Sequence, residues 1–267
     1  MSGNTKTLKL RIKSVDSTLH LTKAMGLVAS SKMRKANLAM NAGRQYENSV
    51  GDVVGMLAAS SECQSSPYMR KGESNKICLV VIAGDRGLAG GYNANVFRTV
   101  RDFGEAEIIP IGKRACERYG KDVISSEKFY AADAFKLAKE LCERFKNGEF
   151  ERLGIVTTNY ISMMTQTPEI KWVLPLEKRK SKQSSSVVFE PDERTILDIA
   201  VPEYLSGVIV ACVRESFASE VAARRMAMDS AGKNAQQMID ELQLEYNRAR
   251  QGAITQEITE IVAGAGN

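Results

Sequence analysis

The sequence predicts an α/β chain in which two long terminal helices pair as an antiparallel coiled coil around an inserted α/β domain. Three observations predict it. All six prolines lie between Pro67 and Pro202, so neither end of the chain contains one. Proline removes a backbone donor and clashes with the preceding turn, so a long helix avoids it. Both proline-free ends carry apolar and small residues in alternating steps of three and four, the spacing of a coiled-coil seam. Between them, short apolar runs alternate with helical patterns, as in an open α/β layer.

The first helix is expected over residues 5–57, roughly 80 Å at ~1.5 Å per residue. Its seam reads Leu8, Ile12, Val15, Leu19, Thr22, Gly26, Ala29, Met33, Ala36, Met40. Residues 60–75, with Pro67 and Gly72, form a linker. Residues 76–83 are a continuous, β-branched apolar run and predict a buried parallel strand. A glycine-rich turn at 84–91 (GDRGLAGG) follows. Then come a helix at 93–103, a strand at 107–111, helices at 113–119 and 131–146, and a strand at 152–157. Residues 171–176 and 186–190 are candidates for further strands, with 177–186 a polar loop. The last helix is expected over 205–262, its seam running Phe217, Val221, Arg224, Met228, Ala231, Ala235, Met238, Leu242, Glu245, Ala249. The division is therefore a shaft of 1–60 with 203–267 and an inserted domain of 61–202. Pairing Leu8 with Leu242, Ile12 with Met238 and Thr22 with Met228 aligns the seams. The last twenty-odd residues then overshoot the first helix, carrying an apolar stripe of Ile254, Ile258 and Ile261 with no partner in the chain.

The composition narrows the function. At 43% hydrophobic residues but 6% aromatic, the chain of 267 residues suits a helical seam plus one small core. No continuous apolar run approaches the ~20 residues of a membrane span, and the N-terminus has no apolar signal core. Five cysteines, none in CxxC spacing, read as reduced thiols. The net charge of +5 is uneven, with eight basic residues against Asp16 in 1–35. That basic stretch suits acidic partners; nucleic acid is disfavoured because no aromatics interleave the cations. The single histidine, His20, leaves no histidine-based triad and few metal clusters. The turn at 84–91 stands where α/β folds bind phosphates, yet fits neither GxGxxG nor GxxxxGK[ST], and a structural turn is the better reading.

Several segments together resemble the γ subunit of F-type ATP synthases over nearly the whole chain. They are 11–15 (RIKSV), 21–25 (LTKAM), 28–33 (VASSKM), 85–91 with Asn93, 215–220 (ESFASE), Asn234 and Ala235, Tyr246 and Asn247, 250–257 (RQGAITQE) and 260–262 (EIV). The resemblance implies a Rossmann-like insert in the coiled coil and the role of a central rotor shaft that does no chemistry, with no cofactor or metal. Its implied partners are an α3β3 hexamer, the ε subunit and the c-ring, at one copy per complex. Its implied place is the cytoplasmic face of a bacterial plasma membrane, as a peripheral component. It implies β-subunit contact or coupling at Lys23, Met25, Lys32, Arg34, Lys35, Arg250, Gln251, Thr255 and Glu260, and an apical bearing at Ile254, Ile258 and Ile261. The chain departs from the family pattern at His20, Gly26, Ala89 and Arg225, and it lacks the cysteine-paired redox insert of chloroplast-type γ. A coiled-coil tether and a nucleotide-using α/β enzyme are the competing classes. The first leaves the 250–257 match unexplained, and the second lacks a phosphate motif.

Overall fold

The computed structural model describes residues 2–72, 74–177 and 189–265. Nine elements follow in chain order: α1 Ser2–Ala59, β1 Ile77–Ile82, α2 Tyr92–Arg101, β2 Glu107–Ile111, α3 Lys113–Tyr119, α4 Ala131–Lys146, β3 Arg152–Tyr160, β4 Gln166–Leu174 and α5 Glu193–Ala265. The linker holds two short 3-10 turns, Glu62–Ser65 and Pro67–Met69. The expected strand at 186–190 falls mostly outside the described residues, as does the 177–186 loop; Phe189 and Glu190 are not in a strand.

The chain packs as two compact units, residues 1–30 with 224–267 and residues 31–223. In the larger unit the sheet order is β2-β1-β3-β4, with β2-β1-β3 parallel and β4 antiparallel to β3. Pro110 and Pro168 lie on β2 and β4, the two edge strands, where a missing donor costs no ladder bond. Alternation along β1 sends its side chains to two cores. Cys78, Val80 and Ile82 join Leu141 and Phe145 of α4, Leu57 of α1 and Leu205 and Ile209 of α5. Leu79 and Val81 meet Val96 and Val100 of α2 and Ala115 of α3. Helices therefore cover both faces of a mostly parallel sheet, a Rossmann-like layer order.

α5 starts twelve residues before the expected 205 and keeps Pro202 inside it. Asp192 sets the start by accepting from the Thr195 amide at 2.9 Å and hydroxyl at 2.7 Å. A helix-interior proline costs ~3 kcal/mol, and full burial of Leu197, Val201, Leu205 and Val208 around it supplies the compensating apolar contact. By average composition this helix contains a stretch apolar enough to cross a membrane, although the sequence shows no unbroken run. That stretch is 61% buried within the chain.

In the smaller unit the two helices run antiparallel and touch along a narrow seam. Leu19, Ala235 and Ile239 are buried together, with Ile12 and Val15 packed against them. The expected α1 seam is the observed one: each of its ten residues is buried or half-buried. The α5 seam is corrected at two positions beyond Ala235, while the expected Leu242 and Ala249 stay buried and half-buried. Met238 is 41% exposed and Ile239 only 9%; Tyr246 is half-buried and Glu245 exposed. The step after Ala235 is four rather than three, which places the β-branched Ile239 in the seam and keeps a glutamate out of it. The register shifts with it. A methyl group added at Gly26 would lie 3.7 Å from Met228 Cβ, and one at Gly232 would lie 3.6 Å from Thr22 Oγ1. Thr22 thus faces Gly232 rather than Met228, one helical turn from the expected pairing.

Candidate functional site

In open α/β sheets ligands bind beyond the carboxyl ends of the strands, in the crevice where strand order reverses. Here that place is next to β1, flanked by β2 and β3, and the residues around it are the chain's own. On the β3 side, α5 lays its 215–220 segment across the strand end. Ser216 Oγ lies 2.9 Å from Thr157 Oγ1 and accepts from the Thr158 amide at 3.2 Å. Ser219 Oγ donates to the Thr158 carbonyl at 3.2 Å, and Glu215 accepts from the Tyr160 amide at 2.9 Å and from Arg44 at 2.5 Å. Tyr92, opening α2, donates its hydroxyl to the Ser216 carbonyl at 2.9 Å. Glu220 is buried against the glycine turn: a methyl group at Gly84 would stand 2.6 Å from its carboxyl carbon. Any side chain at 84 would have to push the buried Glu220 carboxylate aside.

On the β2 side the turn folds back on itself. Asn93 accepts from the Gly84 amide at 2.9 Å and donates to the Arg86 carbonyl at 3.3 Å. Asp85 reaches across to the ends of β2 and α3. Its Oδ1 accepts from the Lys113 amide at 3.0 Å and the Ser126 amide at 2.9 Å. Its Oδ2 accepts from the Ser125 hydroxyl at 2.5 Å and the Glu127 amide at 3.1 Å. Burial pushes this carboxyl up, but the four donors outweigh it and hold the group below its ordinary value. Leu88 sits in the left-handed region at φ 61°. Among the described residues no group of three His, Cys, Asp or Glu is placed to hold a metal ion.

Sequence reasoning took 215–220 as part of a resemblance, with only Phe217 placed in the seam, and read Asp85 as organising the turn or contacting a neighbouring subunit. Both seal the crevice. A signal was present: four hydroxyl or carboxylate side chains in one six-residue helical segment are hard to explain on a solvent face.

The residues expected to contact β fall into three groups. Lys23 is exposed and Met25 half-buried in the smaller unit. Lys23 lines a groove of about 500 Å³ floored by Gly26, Gly232 and Met228. In the larger unit Arg34 and Lys35 are exposed, whereas Lys32 pairs with Glu127 at 2.5 Å and lies over the Phe217 ring. On α5, Arg250, Gln251, Thr255 and Glu260 are exposed along one helix end. Thr255 donates to the Gln251 carbonyl at 3.0 Å, and Glu260 accepts from Gln256 at 2.9 Å. Ile254, Ile258 and Ile261 are 46%, 57% and 69% exposed.

One unit is a Rossmann-like layer whose crevice is filled by the chain's own side chains, and the other is an antiparallel helix pair with an exposed apolar helix end; together they define a class of mixed α/β proteins with long terminal helices. The sequence model of the ATP synthase family matches residues 4–266. An ATP synthase gamma chain from Ruminococcus albus is 41% identical, the alignment covering 99% of each chain. The chain belongs to the γ-subunit family of ATP synthases, the subunits of the central stalk. Solved structures share the fold at lower identity. The Euglena gracilis mitochondrial ATP synthase rotor gives a TM-score of 0.66 at 16% identity, covering 95% of this chain and all of that one. The Tetrahymena thermophila central stalk and c-ring structure gives 0.62 at 21% identity, covering 79% of this chain and 99% of that one.

Proposed function

We propose that the chain is the rotor of its complex and performs no chemistry itself: it turns inside an α3β3 hexamer and presents a different face to each β subunit. The observation that carries this reading is the bare stripe of Ile254, Ile258 and Ile261 on a helix that buries its seam as far as Leu242. A contiguous exposed apolar stripe marks a contact surface, and an apolar sleeve resists rotation least because its contacts are non-directional. The shaft, 1–60 with 203–267, carries torque; the insert, 61–202, meets the ε subunit and the c-ring. One copy serves each complex, held peripherally at the cytoplasmic face of a bacterial membrane. The R. albus relative, named as an ATP synthase gamma chain, supports the assignment.

Within this reading Lys23, Met25, Lys32, Arg34 and Lys35 guide the shaft past acidic β segments, in solvated pairs worth ~0–1 kcal/mol each. Lys32 must exchange its Glu127 partner to do so. Arg250 and Gln251, with Thr255 and Glu260 beyond, form a catch on one β subunit in one rotary state. A charge-assisted bond of roughly 1.5–3 kcal/mol favours one angle yet breaks at each turn. Replacing Arg250 and Gln251 with alanine should leave the α3β3-containing complex assembled and lower ATP synthesis several-fold. Synthesis at the unmodified rate would remove the catch from the mechanism.

A further inference from the structure

We infer that the crevice between the β1 and β2 ends is a built anion seat whose ligand is the chain's own Asp85 carboxylate. Four donors converge on that carboxylate from residues far apart in sequence. The Ser125 hydroxyl and the Ser126 and Glu127 amides come from one short turn, and the Lys113 amide from the start of α3. Each carboxylate oxygen accepts two of them, at 2.5–3.1 Å. Successive amides in a turn make an anion-binding concavity, whether the anion is a bound ion or a side chain. An anionic group already sits in it, so the seat is demonstrated by its occupant rather than by the geometry of a helix end.

The surroundings keep the seat in place without Asp85. Gly112 at φ 97° lies so close to β1 that a methyl group there would stand 1.9 Å from the Ala83 carbonyl oxygen. Its amide donates to the Ile124 carbonyl at 2.9 Å, which ties the 125–127 turn to the end of β2. Cys116 adds a bond from the Ile124 amide to its sulfur at 3.4 Å. These links do not pass through residue 85. Removing the carboxylate therefore leaves three amides and a hydroxyl aimed at one point, the Ser125 hydroxyl and Ser126 amide part-buried and the Lys113 and Glu127 amides open to water. The two part-buried donors are costly to leave unpaired, and with the two exposed amides beside them the vacated seat accepts a small free anion of matching shape. The ligand class is a monocarboxylate: formate fills the space lost in Asp85→Ala, and acetate, one carbon larger, that lost in Asp85→Gly.

The experiment is thermal unfolding of the full chain, followed by circular dichroism, in formate, acetate and chloride at matched ionic strength. Asp85→Ala should melt below the unmodified chain and regain stability along a saturating formate curve that chloride does not reproduce. The unmodified chain should respond identically to all three salts. Asp85→Asn, whose amide still fills the seat, should be destabilised and not rescued. If Asp85→Ala is unfolded in chloride, its refolding yield in formate is the measurement, and a higher yield supports the seat. Equal behaviour in formate and chloride, by melting or by yield, overturns the proposal. None of these outcomes bears on rotation, so the test stands apart from the rotor assignment.

Discussion

The same two helices live under different rules in the two units. Between 201 and 223, α5 is buried on most of its circumference, sharing one core with β3, α4 and α1. Buried Ser216, Ser219 and Glu215 meet partners on β3, Glu215 also meets Arg44 of α1, and Glu220 lies against Gly84. Between 224 and 265 the same helix has one neighbour, and its buried positions thin to a single row of Met228, Ala235, Ile239 and Leu242. The first stretch is fixed by polar geometry at a sheet end, where each unmatched group is costly. The second is fixed only by which small residue faces which large one. The difference teaches where precision resides: at the crevice a change of one atom is felt, while along the seam the helices have room to adjust.

The comparison is broken most directly at Gly112. Alanine there meets both a positive φ and the Ala83 carbonyl at 1.9 Å, and should cost more than ~3 kcal/mol. Chemical denaturation checks it; a loss under 1 kcal/mol would show that the sheet end yields as readily as the seam.

A sharper form uses one substitution in both units. Gly43→Ala sets a methyl group 3.2 Å from the Ala211 Cα, on buried helix backbone, and should destabilise by about 1 kcal/mol. Gly26→Ala meets nothing nearer than Met228 Cβ at 3.7 Å. It should stabilise by about 0.5–1 kcal/mol through helix propensity alone. Opposite signs in denaturant midpoints support the contrast, and equal signs end it.

The register comes next. Cysteines at 15 and 239, both at the seam, should cross-link under mild oxidation faster than cysteines at 12 and 238, since Met238 faces outward. The reverse order of rates would restore the pairing expected from sequence. The five native cysteines are buried and should not interfere. Burial pushes Cys78, Cys142 and Cys212 up to about 12, so their thiols stay protonated.

The smallest effect is a pH dependence at the crevice. Asp85 is held below its ordinary value of 3.8 in the folded chain. Its contribution is present above the unfolded value and lost as pH falls through the folded one. The stability gap between the unmodified chain and Asp85→Asn should therefore be constant from pH 7 to 5 and narrow below about pH 4. A gap that is unchanged down to pH 3 in urea titrations would mean the carboxylate is not held by its donors.

Much of this was legible in the chain. α3 and α4 have the expected bounds because their apolar period and flanking Gly112, Tyr130 and Gly120 are local signals. The α1 seam was read residue for residue, because α1 buries one stripe from Leu8 to Met40. The start of α5 was not legible. Proline at 202 is locally a helix breaker, and only the core around Leu197 and Leu205 overrides it. Nor was the 235–249 phase, since steps of three and four are both compatible with a coiled coil and Met238 is as apolar as Ile239.

The sequence by itself determined the two proline-free helices, the alternation of strands and helices between them, the unpartnered isoleucines at the end and the family. Each is written in local composition and period, which the chain carries wherever it folds. Only the tertiary structure decided what fills the crevice. The 215–220 segment meets β3 across 55 or more residues of sequence, and Asp85 meets its donors across 28 to 42. Such contacts follow from how the sheet and helices are layered, and no local pattern encodes them.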